Sequence, residues 1–85
     1  MHMSVFNRIA VLRAERGISR KELAAAVSVN YQTIGYLERG EYSPSVELAL
    51  KISQHFGLPL DMVFSLKPFS AISVELLRAR SGGKR

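Results

Sequence analysis

Apolar residues return along this chain at intervals of three and four, and the runs between them end at glycine or proline. Val5, Ile9 and Leu12 are spaced four and three, the signature of one helical face, and Ser4 stands where it can cap that helix. Gly17 follows Arg16 and closes this first helix as a left-handed residue would. Ser19-Arg20-Lys21-Glu22 reads as a capping box, in which the hydroxyl serves an amide three residues on and Glu22 reaches back. It opens a second helix with Leu23, Ala24 and Val27 on its inner side. Ser28-Val29-Asn30 interrupts, and Asn30 caps a third helix that carries Ile34 and Leu37 and runs to about Arg39. After a loop from Glu41 to Pro44, Ser45 caps a fourth helix, Val46 to Phe56. Its main stripe is Val46, Ala49, Ile52, Ser53 and Phe56, with Leu48 and Leu50 roughly 100° to either side. Pro59-Leu60-Asp61 opens a short fifth helix through Val63 and Phe64. Nothing alternates with the period of two that marks a half-buried strand, so the pattern predicts an all-α body of five helices.

The second and third helices, about 20–39, are joined by only three residues, and Ala24 lies where the two must approach closely. That is the layout of a helix-turn-helix unit. The third helix spends Ile34 and Leu37 on its inner face, so its polar residues project outward. Such a helix fits a major groove about 12 Å wide. Tyr31, Gln32, Thr33 and Tyr36 then point at base edges and phosphates. Gln pairs with adenine through two hydrogen bonds, Thr offers a hydroxyl or a methyl, and Gly35 leaves room for close approach or a thymine methyl.

Charge modifies this picture. The 85 residues carry 12 Lys+Arg against 7 Asp+Glu, a net charge of +5. A basic small domain suits a polyanion such as nucleic acid. Up to Ser65, however, seven basic residues face six acidic ones, and from Leu66 onward five (Lys67, Arg78, Arg80, Lys84, Arg85) face Glu75 alone. Most of the excess therefore belongs to the extension, and recognition by the body has to rest on position.

In order and spacing, Leu12 to Ser19, Glu22-Leu23-Ala24, Gln32-Thr33-Ile34, Leu37 to Gly40, Tyr42 to Ser45 and Leu48 to Ile52 resemble the phage-repressor and Cro type of helix-turn-helix family, also called the xenobiotic-response-element family. The resemblance runs from Asn7 to Ser65, 59 of the 85 residues. It implies a repressor-type domain over 1–65, with a short C-terminal extension, helical or extended, over 66–85. By the same likeness, Ser19 and Arg20 begin the helix that meets a phosphate, Arg20 replacing the family's usual Gln. Asn30, Tyr31, Gln32, Thr33, Gly35 and Tyr36 open the reading helix, and bases are read from the positions of Tyr31, Gln32, Gly35 and Tyr36. Arg39 closes that helix near the DNA backbone. Arg13 and Glu38 match a structural ion pair between the first and third helices. Ser28 stands where the family's turn usually has Gly, and Gly35 and Tyr36 replace commoner polar or basic residues.

The extension carries Ile72, Val74, Leu76, Leu77 and Ala79, too apolar to leave in water. Either a helix there packs on its own domain, or Ile72 and Leu76 join Leu48 and Leu50 in a dimer interface. A third arrangement, suggested by the very short family members, runs Val63 to Phe69 extended beside Met1 to Val5.

Other chemistry lacks support in the sequence. There is no Cys, so no disulfide or thiolate site is available. His2 and His55 are isolated imidazoles, and Ser4, Ser19 and Ser45 serve as caps with no base beside them. No cofactor is expected and no catalysis. No run approaches the roughly 20 apolar residues of a membrane span, and Met1-His2-Met3 does not begin a secretory signal, so the expected location is the cytoplasm. The reading is a homodimeric, sequence-specific regulator of double-stranded DNA. Its rivals are a restriction–modification controller, an antitoxin whose tail grips a toxin, and a protein-interaction module that has lost DNA.

Overall fold

In the computed structural model, residues 5–69 are described. Five helices form the body: α1 (Ile9–Arg16), α2 (Arg20–Val27), α3 (Tyr31–Glu38), α4 (Val46–Phe56) and α5 (Leu60–Val63). Two short strands, β1 (Phe6–Asn7) and β2 (Phe64–Ser65), pair antiparallel with Phe6 opposite Ser65 and Asn7 opposite Phe64. None of these helices is long and apolar enough to cross a membrane.

The local signals act as their chemistry dictates. Gly17 and Gly57 sit in the left-handed region after α1 and α4. The Ser19 hydroxyl accepts from the Glu22 amide at 3.0 Å while Glu22 accepts from the Ser19 amide at 2.7 Å, completing the capping box. Asn30 caps α3 by accepting from the Gln32 amide at 2.8 Å, and Ser45 caps α4 by accepting from the Leu48 amide at 3.1 Å. Ile9, Leu12, Leu23, Ile34, Leu37, Ile52 and Val63 are fully buried, so every helix contributes to one core. Ala24 is buried too, at the close approach of α2 and α3.

The ends of the body depart from the helical expectation. The first helix starts at Ile9, and Val5 precedes it; Ser4, its expected cap, lies outside the described residues. Asn7 explains the late start: its Oδ1 accepts from the Ile9 amide at 3.0 Å, while the Arg8 amide is spent on the Val63 carbonyl at 3.0 Å. Phe64 likewise leaves the fifth helix for β2. The chain after α5 is thus extended, with Phe6 and Asn7 as partners of Ser65 and Phe64; of the expected partners Met1 to Val5, Met1 to Ser4 lie outside the described residues. Val46, expected on the inner stripe of α4, is exposed at the helix's first turn.

Of the apolar residues considered for a dimer interface, Leu48 packs inside this chain's own core, because it lies on the side of α4 that faces the body. It is therefore not free for a partner, whereas Leu50 is half exposed. Ile72 and Leu76 lie outside the described residues.

Ser28 ends α2 with φ +61°, the one positive-φ residue other than glycine among the described residues. Its amide and that of Val29 close the helix on the Ala25 and Ala24 carbonyls at 3.3 and 3.0 Å. A side chain in this region costs on the order of 1–2 kcal/mol. Ser28→Gly relieves that strain and adds flexibility to the unfolded chain, which offsets part of the gain. We expect it to stabilise the domain by up to about 1 kcal/mol in urea melts; a loss of stability would show that the serine side chain contributes to the turn.

Candidate nucleic-acid interface

The short turn presents α3 with Ile34 and Leu37 inward and its opposite side open. Arg20 from α2 and Tyr31, Gln32, Gly35, Tyr36 and Arg39 from α3 and its end line one open hollow of ≈ 260 Å³. Six of the nine residues singled out in the sequence for DNA thus meet at one place. Gln32 is exposed, and Tyr31 and Tyr36 are each nearly half exposed. Lys21 lies over the Tyr31 ring at 5.5 Å and the Arg39 guanidinium over the Tyr36 ring at 5.3 Å. The two phenols are therefore backed by cations, an arrangement suited to phosphate and base together.

The other three are placed differently. Ser19 and Asn30 sit at the starts of α2 and α3, and their side-chain oxygens serve as caps. Thr33 is half-buried at the edge of α3 and does not line the hollow. Gly35, expected to offer open space to a base, is buried. A Cβ built on it would stand 3.2 Å from Arg39 Nη1 and 3.9 Å from Arg20 Nη1. Its vacant side is occupied by two guanidinium groups.

Beneath the hollow, Glu38 holds α3 to its neighbours. Arg13 donates from Nε at 2.6 Å and Nη2 at 3.2 Å, and a further donation from Nη1 reaches the Ile18 carbonyl at 3.1 Å. Arg20 Nε donates to the same carboxylate at 2.9 Å. The Glu38 side chain is only 4% exposed. Burial pushes its carboxyl up, but the hydrogen bonds from Arg13 and Arg20 outweigh that and hold it below the ordinary carboxylate value. Bonding to Glu38 raises the Arg13 guanidinium against the opposing effect of desolvation.

Four residues outside the sequence candidates support the site or the body beside it. Lys21 adjoins Arg20 in the first turn of α2, and that adjacency was the available signal. Glu41 faces Arg39, Nε to Oε2, at 3.2 Å. Asn7 Nδ2 donates to the Leu37 carbonyl at 2.7 Å, tying β1 to the last turn of α3. Arg8 is buried, with its guanidinium 4.0 Å from the Phe69 ring centre, and its Nε and Nη1 have no hydrogen-bond partner. Desolvation lowers its pKa. Arg16, the last residue of α1, donates from Nη2 to the Phe56 carbonyl at 2.8 Å, closing the end of α4.

The profile of the helix-turn-helix family matches residues 9–63. The chain belongs to that family. It is of the Cro/C1 type, a family of DNA-binding transcription regulators. Among curated relatives, it is similar to the uncharacterized HTH-type transcriptional regulator YgzD of Bacillus subtilis, 41% identical over 61 residues, which are 72% of this chain and 92% of YgzD. It is similar also to the cryptic phage CTXphi transcriptional repressor RstR of Vibrio cholerae, 32% identical over 54 residues, covering 64% of this chain and 49% of RstR. Among solved structures, it resembles the restriction-modification controller protein C.AhdI from Aeromonas hydrophila, with a TM-score of 0.59 and 26% identity over 62% of this chain and 80% of C.AhdI. A transcriptional regulator from Listeria innocua shares the fold at a TM-score of 0.63 and 22% identity, over 84% of this chain and 68% of that one.

Proposed function

We propose that this helix-turn-helix chain acts in the cytoplasm as a homodimeric transcription regulator, docking two copies of α3 in successive major grooves of a roughly palindromic operator. The convergence of Arg20, Tyr31, Gln32, Tyr36 and Arg39 on the open side of α3 carries the reading. Groups able to discriminate bases by hydrogen bonding then stand beside cations able to hold phosphates. The mechanism is occupancy: a bound dimer obstructs or recruits polymerase. Arg20 and Arg39 hold the backbone, while Gln32, Tyr31 and Tyr36 face base edges.

The dimer draws support from apolar surface that one copy leaves open. Val46 and Leu50 are exposed one turn apart on α4, and Leu66 is exposed just after β2. Close by, Val5, Leu60, Phe64 and Leu66 line an apolar hollow of ≈ 580 Å³. The proposed interface draws on this surface together with Ile72 and Leu76 of the extension. A controller role in a restriction–modification system is the second reading, supported by the likeness to C.AhdI.

Selection of bound duplexes from a random pool tests the proposal. The expected product is an inverted repeat with half-site centres about 10–10.5 bp, or 34–36 Å, apart. Sedimentation of the full chain should show a dimer, and a chain truncated after Ser65 should lose dimer stability while keeping its helices. A single half-site bound by a monomer would overturn the dimer, and an unenriched pool would overturn sequence-specific reading.

A further inference from the structure

Each guanidinium above Gly35 is anchored through some of its nitrogens and free at another. Arg20 commits Nε to Glu38, and Arg39 turns Nε and Nη2 to Glu41 at 3.2 and 3.3 Å. The nitrogen nearest the glycine is Nη1 in both cases, at 3.2 Å for Arg39 and 3.9 Å for Arg20 from the place of a Cβ. One donor from α2 and one from the residue that ends α3 therefore both approach the open side of Gly35, and both arginines line the same hollow. A Cβ at Gly35 would press on the Arg39 guanidinium and stand in contact with that of Arg20. Glycine in a helix interior is unfavourable for folding, so its place here fits a demand for that space.

The two anchors differ. Glu38 is buried and bound to Arg13 as well, so it fixes Arg20. The pair of Arg39 and Glu41 is about half exposed on both sides. Such a pair is weak and exchanges readily. Three arginines face two carboxylates in this group, which leaves it with a net charge of +1.

We propose that Arg20 and Arg39 form one clamp for a single DNA phosphate, floored by Gly35, with Glu41 as the carboxylate that the phosphate displaces. The proposal rests on the DNA-binding reading and refines it: the two arginines share a ligand, Gly35 is a gap for guanidinium groups and not a base contact, and Glu41 restrains binding. A backbone contact is independent of sequence, so the probe is a random-sequence duplex, and the operator need not be known.

Affinity for that duplex would be measured across a salt series for the full chain, Arg20→Ala, Arg39→Ala, the double variant and Glu41→Gln, with circular dichroism melts of each. If one phosphate is shared, the double variant flattens the salt slope by about 0.9 in all, and neither single variant flattens it by more than that. Glu41→Gln, which leaves both arginines in place, tightens binding. Losses that add, with the double variant flattening the slope by about 1.8, mean two separate phosphates and overturn the clamp. Unchanged or weaker binding by Glu41→Gln overturns the displacement. Should the Arg20→Ala chain unfold, Arg20→Gln, which keeps an amide donor for Glu38 while removing the charge, takes its place in the single and double variants. A full chain that binds no duplex overturns the DNA reading itself and the clamp with it, an outcome distinct from binding with additive losses.

Discussion

Glu38→Ala is expected to remove about 3–5 kcal/mol of fold stability. The carboxylate is 4% exposed and receives both Arg13 and Arg20, so its loss strands the partly buried Arg13 guanidinium without a counter-charge. A small domain has on the order of 5–15 kcal/mol in total, so the variant should melt far earlier than the parent. Arg13→Ala should be nearly as damaging, because Arg20 alone would then face Glu38 from a more exposed position. Urea melts of both single variants and the double would check this, and small additive losses would mean that the pair contributes as an exposed one does. The same carboxylate adds an acid dependence. Its folded pKa lies below the ordinary 4.5, so its contribution is complete above that value and is lost as the pH falls through the folded pKa. Stability measured from pH 6 downward should therefore show a fall below pH about 4.5 that Glu38→Gln reduces.

Gln32→Ala is expected to erase discrimination between the selected operator and random DNA by about 1–3 kcal/mol, roughly 5- to 150-fold. Gln32 is exposed at the start of α3 and lines the hollow, and its backbone amide is already satisfied by Asn30. The side chain is thus free for a base edge. Binding to random duplex should change little. Equal losses on both DNAs, measured by titration at one salt concentration, would assign Gln32 to the backbone.

The parts of the fold that were legible in the sequence are those governed by neighbours a few residues away. Ser19 with Glu22, Asn30, Ser45 and the glycines after α1 and α4 each satisfy a local backbone need, and they appear in the structure as read. The Arg13–Glu38 pair spans 25 residues and came from the family resemblance, since helical periodicity says nothing about partners that far apart. The strand pair likewise was suggested only by the very short family members, and with Met1 to Val5 as the partner of Val63 to Phe69. Two-residue strands show no alternation, and the hydrogen bonds that make Phe6 and Asn7 extended come from Phe64 and Ser65. Gly35 was misjudged because a missing side chain was read as open space, whereas long arginines from either side reach across it. Arg8 gave no signal at all: a charged residue beside an apolar run reads as surface, and only tertiary packing put it inside.

The antiparallel clasp between Phe6–Asn7 and Phe64–Ser65 makes the described body nearly a closed ring of chain. Closing a loop of that length carries an entropy cost that the short connection between α2 and α3 avoids. Local helix pairing should therefore come early in folding and the clasp late, a nucleus followed by a latch. During synthesis, at about 5–20 residues per second, the first strand waits for β2 to be translated and clear the ribosome. α3 is thus formed well before the latch that completes its platform, and a nascent chain stalled short of Phe64 would carry the open face of α3 on an unfinished mount.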